Sequence, residues 1–123
     1  MLQATNRLEE AELLHRQALE IKERSYGPED PALAPDLNNL AQVLRDTNRL
    51  QEAEPLMRRA LAIDEKNYGP EHPKVAGHLN NLGSVLQDLN RLQEAECLYR
   101  RALEIEERSY GPEHPHVATD LPR

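Results

Sequence analysis

The stretch DLNNLAQVLRDTNRLQEAEPLMRRALAIDEKNYGPEHP, residues 36–73, carries two helical patterns and two interruptions. In its first part Leu37, Leu40, Ala41 and Leu44 recur at i, i+3, i+4 and i+7, one apolar stripe of a helix with 3.6 residues per turn. In its second part Leu50, Ala53, Met57, Ala60 and Leu61 draw another stripe, which Ile63 extends. The first pattern, helix A, runs to about Thr47, and the second, helix B, from about Arg49 to Asn67. Asn48 between them suits the residue of positive φ at which a helix commonly stops. Glu52 and Glu54 place carboxylates at the positive end of the helix B dipole. Beyond helix B, Gly69 can take a left-handed cap, Pro70 cannot continue the helix, and Pro73 has the fixed φ of a first helical position.

The same writing recurs every 42 residues, the spacing of Gly27, Gly69 and Gly111. Residues 6–31, 48–73 and 90–115 overlay, and the last two segments agree at 20 of 26 positions. Residues 36–47 likewise overlay 78–89. Such self-similarity is the mark of a repeat array. Asn6 and Asn90 take the place of Asn48, and Asp30 stands before Pro31 as a good N-cap. His72 and His114 replace Asp30 in the later copies and should cap less well. The expected object is an all-α array of antiparallel helix pairs in the order B-A-B-A-B, about five helices with partial ends, forming one domain over 1–123. Its units are approximately 1–30 (helix B alone), 31–72, 73–114 and 115–123, the last the start of a further helix A. Residues 2–5 read as the tail of a preceding helix A, and DLPR (120–123) breaks where LNNL should follow. Ends cut out of phase fit a piece of a longer array.

Composition agrees with close helix packing. The 123 residues include four Tyr, no Phe and no Trp, so Leu and Ala must fill the interior. A net charge of −7 argues against nucleic acid and against an anionic membrane surface. No run approaches the roughly 18 apolar residues of a membrane span, and the first residues lack the apolar stretch of a signal peptide. Cys97 is the one cysteine, so no intramolecular disulfide can form. A soluble cytoplasmic protein is the expectation.

These residues resemble the tetratricopeptide repeat in its 42-residue, kinesin-light-chain-like form. LNNLA, EAEPLMRRALAI and YGPEHP carry the likeness, with Ala11, Ala18, Ala53, Ala60, Ala95 and Ala102 at the small positions of helix B. Ala41 and Gly83 match the small position of helix A, and Tyr99 the aromatic position of helix B, where Met57 and His15 stand in the other copies. The resemblance implies an α-solenoid wound as a right-handed superhelix, with the A helices lining a concave groove that binds an extended peptide or a partner helix. Asn39, Gln42 and Asp46 point away from the buried stripe, with Asn38 and Arg45 beside them; Asn81, Ser84 and Asp88 are their equivalents, flanked by Asn80 and Gln87. An amide both donates and accepts, so Asn38, Asn39, Asn80 and Asn81 could satisfy a peptide backbone whatever its side chains. Paired Asn could equally bond between repeats or stay solvated. Arg45 is the one obvious cation there, with Lys74 near the mouth.

Site chemistry of other kinds finds no foothold. His114 and His116 are two residues apart and His72 and His78 six, neither the i, i+4 spacing that sets two ligands on one helical face. Cys97 overlays Leu13 and Pro55, which reads as a semi-buried helix position without an activating base. His15 reads as packed or partly buried. Asp and Glu read as helix starts and outward faces, and residues 100–109 as a solvated, charge-laced side. The expectation is therefore no enzyme, no metal and no cofactor, but a scaffold for a protein or peptide partner. The alternative is a structural segment that forms homo-oligomers through exposed terminal faces.

Overall fold

The computed structural model describes residues 2–110, with side-chain surroundings for residues 7–109. Five helices follow one another: α1 (Leu2–Tyr26), α2 (Leu33–Asp46), α3 (Leu50–Tyr68), α4 (Pro73–Asp88) and α5 (Leu92–Tyr110). Among the described residues there is no strand. This is the expected alternation, with α1, α3 and α5 as B helices and α2 and α4 as A helices, and the fold is an all-α helical-repeat solenoid. Gly111, His114, His116 and the partial helix expected over 115–123 lie outside the described residues.

The chain divides into two compact units, Met1–Ile63 and Asp64–Arg123. In the first, α1 packs against α2. Leu33, Leu37, Leu40, Ala41 and Leu44 of α2 are fully enclosed, as are Ala53, Met57 and Ala60 of α3. In the second, α4 packs against α5, and Val75, Leu79, Leu82, Val85 and Leu86 are enclosed with Ala95, Ala102 and Ile105. The enclosed side chains are the apolar stripes. Fully burying one Leu or Val stabilises by about 1.5–3 kcal/mol, so these stripes are the main favourable contribution to the fold.

The corners follow from backbone accounting. After α2, Asn48 has φ 62°, and its N–H reaches the Arg45 carbonyl at 2.9 Å. The next N–H, that of Arg49, reaches back to the Leu44 carbonyl at 2.7 Å. Asn90 after α4 has φ 64°, with matching bonds to Gln87 and, from Arg91, to Leu86. These paired bonds satisfy carbonyls that the helix leaves open at its end. The B helices stop differently, at Gly27 (φ 95°) and Gly69 (φ 96°), whose N–H groups each bond to the carbonyl four residues back.

Helix starts are less uniform. α4 begins at Pro73, and the Lys74 N–H donates to His72 Nδ1 at 3.1 Å, so this histidine does cap. Asp30 Oδ1 accepts the Ala32 N–H at 2.8 Å, yet regular helix begins only at Leu33, two residues past Pro31. Two short i→i+3 turns fill the gap, from Leu33 to Asp30 and from Ala34 to Pro31.

Three sequence expectations need correction. α1 runs through Asn6 without a corner, so residues 2–5 are not a separate helix tail. Cys97 is exposed rather than semi-buried, as are Leu13 and Pro55 at the same repeat position, because that position faces away from the packed stripe of the B helix. Nor are all acids outward: Asp64 and Glu106 are buried, and Arg101 is half-buried, so residues 100–109 are not uniformly a solvated side.

Candidate functional site: the polar faces of the A helices

On α2, Pro35, Asn39, Gln42 and Asp46 are exposed, opposite the enclosed Leu37, Leu40 and Leu44; Asn38 and Arg45 are half-buried at the flanks. On α4, Gly77, Gln87 and Asp88 are exposed, while Asn80, Asn81 and Ser84 are half-buried. The two faces therefore differ, and at Ser84 the difference traces to Tyr99 of α5. Its O–H donates to Gln87 Oε1 at 2.8 Å, and Ser84 Oγ lies 3.2 Å from the same phenol oxygen. A phenol has one proton, so with that proton given to Gln87 the Ser84 hydroxyl is the donor to Tyr99. Two residues read from the sequence as ligand contacts are thus held together by a third from the B helix.

Tyr99 reaches across because Gly83 lets it. A Cβ on Gly83 would stand 2.9 Å from the ring. In the preceding repeat the equivalent positions are Ala41 and Met57, a larger A residue with a slimmer B residue. The overlay displayed both substitutions, but not that they belong together.

Ionic links across helices were the part of the structure that sequence reasoning missed. Lys22 Nζ of α1 lies 2.8 Å from Asp36 Oδ2 of α2, and the Asp36 carboxylate raises the Lys22 pKa through a hydrogen bond and its charge. His78 Nε2 of α4 lies 2.7 Å from Asp64 Oδ2 at the end of α3, with both side chains largely enclosed. Forty-two residues separate Lys22 from Asp64 and Asp36 from His78, so the acid changes sides between repeats. That exchange was the available signal. Arg59 Nη2 donates to Glu23 Oε2 (2.8 Å) and to the Pro28 carbonyl (3.1 Å); Arg101 Nη2 does the same to Glu65 (2.5 Å) and Pro70 (3.2 Å). Each guanidinium ties its B helix to the previous B helix and to the corner beyond it.

Other charged groups are similarly occupied. Arg49 forks onto Glu52 and reaches Glu12, which holds the Arg49 pKa up and the Glu52 carboxyl below the usual range. Lys74 Nζ sits 4.6 Å above the Tyr68 ring, at the corner where α4 begins. Among the described residues no three of His, Cys, Asp and Glu are grouped as a metal ion would need, and no helix is long and apolar enough to cross a membrane.

Helix pairs of this length, with small residues at fixed positions and glycine or asparagine at every corner, define a tetratricopeptide-type repeat. The chain belongs to the tetratricopeptide repeat family, whose pattern matches residues 1–66, 37–108 and 75–121, and its repeats are kinesin-light-chain-like. This is a scaffold family without catalytic activity of its own, whose repeats generally mediate protein–protein interaction. Among solved structures, one from Podosopora anserina with nearly identical TPR-like repeats of kinesin light chain type is 25% identical, with a TM-score of 0.84. BtubC (BKLC) from P. vanneervenii is 30% identical, with a TM-score of 0.81. The match covers 96% of this chain in both cases, and 56% and 46% of the two structures, so the chain spans about half their length. A search of the curated proteins gave no match.

Proposed function

We propose that the chain is an interaction scaffold in which each A helix, α2 and α4, offers its polar face to an extended peptide. Asn38, Asn39, Gln42 and Arg45 on α2, and Asn80, Asn81, Ser84 and Gln87 on α4, are the contact residues of this reading. The observation that carries it is the exposure of Asn39 and Gln42 opposite a fully enclosed Leu stripe, which leaves amides on a rigid helix available to a peptide backbone. Tyr99 supports the same reading, because it orders Ser84 and Gln87 before any ligand arrives and so reduces the entropy lost on binding. With an acid on each A helix, Asp46 and Asp88, and Arg45 the one obvious cation of these faces in the sequence, the preferred peptide is neutral or basic, not strongly acidic.

A displayed random-peptide library panned on the folded chain tests this. Selected peptides should shift the amide resonances of α2 and α4, and Asn39→Ala with Asn81→Ala should abolish the shifts while leaving helicity intact. Peptides that bind the double variant as well as the parent would remove the reading.

A second reading, self-assembly through terminal faces, is favoured by one observation. The large apolar side chains Leu13, Leu14 and Ile21 of α1 are exposed.

A further inference from the structure

α1 leaves open positions that the other B helices close. Ile21 is 62% exposed and Leu14 59%, whereas Ile63 and Ile105, at the repeat position of Ile21, are 4% and 3% exposed. At 100° per residue Leu14 and Ile21 lie within about 20° of each other around the helix. Glu10 and Gln17 share that side, with Ala18 along one border and Leu13 and Arg24 along the other. The ionic contacts of α1 with the rest of its unit leave from the opposite side through Glu12 and Glu23, and from the flank beyond Ala18 through Lys22.

The order of residues on the open face specifies what covers it. Leu14 and Ile21 are two turns apart, roughly 10.5 Å. Glu10 stands one turn before Leu14, and Arg24 one turn after Ile21. Read along the helix the face is acid, Leu, Ile, base. An antiparallel copy of the same face therefore meets it in complement: Leu14 against Ile21, Ile21 against Leu14, and Glu10 against Arg24 at both ends. Gln17 and Ala18 fall at the two-fold axis, where the small Ala18 side chain favours an approach within the about 8–10 Å usual for packed helices. A parallel copy would instead set Glu10 on Glu10 and Arg24 on Arg24. Arg24 is held within its own helix only by a 3.7 Å exposed contact to Glu20, which leaves it available for exchange.

The geometry points to a closed homodimer made by antiparallel pairing of α1 with α1 of a second copy. This rests on the self-assembly reading and narrows it, because an isologous two-fold contact closes at two chains, whereas end-to-end association would continue.

Sedimentation equilibrium at ~10–100 μM, a range in which modest contacts populate, tests the pairing. The parent chain should reach a dimer and no higher. Glu10→Arg alone should weaken the dimer roughly tenfold by setting like charges together twice, and Glu10→Arg with Arg24→Glu should restore it. In a Cys97→Ser background, Gln17→Cys should give a disulfide-linked dimer under mild oxidation. A monomer throughout overturns both this pairing and the self-assembly reading. Mass that keeps rising with concentration, or a dimer indifferent to both charge reversals, overturns the pairing alone.

Discussion

Replacing Gly83 with alanine sets two effects of opposite sign against each other. In an open helix interior the change gains about 1 kcal/mol, because glycine loses more backbone freedom on folding. At this site the added Cβ would meet Tyr99 Cε1 at 2.9 Å and Cζ at 3.0 Å. Overpacking of that kind costs about 1–3 kcal/mol. If the ring swings aside instead, Tyr99 gives up its hydrogen bonds to Gln87 and Ser84, about 0.5–1.5 kcal/mol each. Net of the helix gain, either route leaves Gly83→Ala destabilising by up to about 2 kcal/mol. In a Tyr99→Met background, the pairing that Ala41 and Met57 use in the previous repeat, the same change should stabilise by about 0.5–1 kcal/mol. Urea unfolding of the four proteins, followed by circular dichroism, gives the coupling directly, and about 2 kcal/mol is expected. A Gly83→Ala effect of the same sign in both backgrounds would refute the claim that the ring dictates the glycine.

Further outcomes can be checked on the same footing. Asn48→Ala should lower stability by about 1 kcal/mol, because alanine resists positive φ, whereas Asn48→Gly should stay within a few tenths; thermal melts separate the two. Asp64→Ala should cost about 1–3 kcal/mol by stripping the enclosed His78 ring of its partner, and Lys22→Ala, at a more exposed pair, should cost less in the same urea assay. Glu52 is depressed by Arg49, so its contribution is complete above its unfolded pKa near 4.5 and fades as pH falls through the lower folded value. An acid titration of stability should therefore fall less steeply below pH 4.5 in Glu52→Gln. Cys97 should react with a maleimide in the native protein at nearly the rate of a free thiol, since it is exposed.

How the chain becomes a stack of helices was written in its sequence. The Leu37–Leu44 stripe, the asparagine corners and the Tyr-Gly-Pro stops are local signals, and each acts through backbone chemistry that depends on a few neighbouring residues. What escaped was non-local. Asp64 looked like one of many acids, and only its nearness to His78, fourteen residues on and across a corner, makes its burial tolerable. Tyr99 matched a family position, but a match of residue type carries no direction, so its grip on Ser84 and Gln87 was not visible. Asn6 is the converse case: it has the right residue in the right register, yet α1 continues through it.

The exchanged acid between α1–α2 and α3–α4 has a consequence for a gene made of near-copies. Such tandem copies are prone to unequal recombination, and their products to docking on the wrong neighbour while folding. A helix bearing Asp64 set upon the helix bearing Asp36 would oppose two carboxylates, and Lys22 set upon His78 would leave an ammonium without its counter-charge. Look-alike modules thereby carry an address, and shuffling them is penalised in proportion to how dry the mismatched pair becomes.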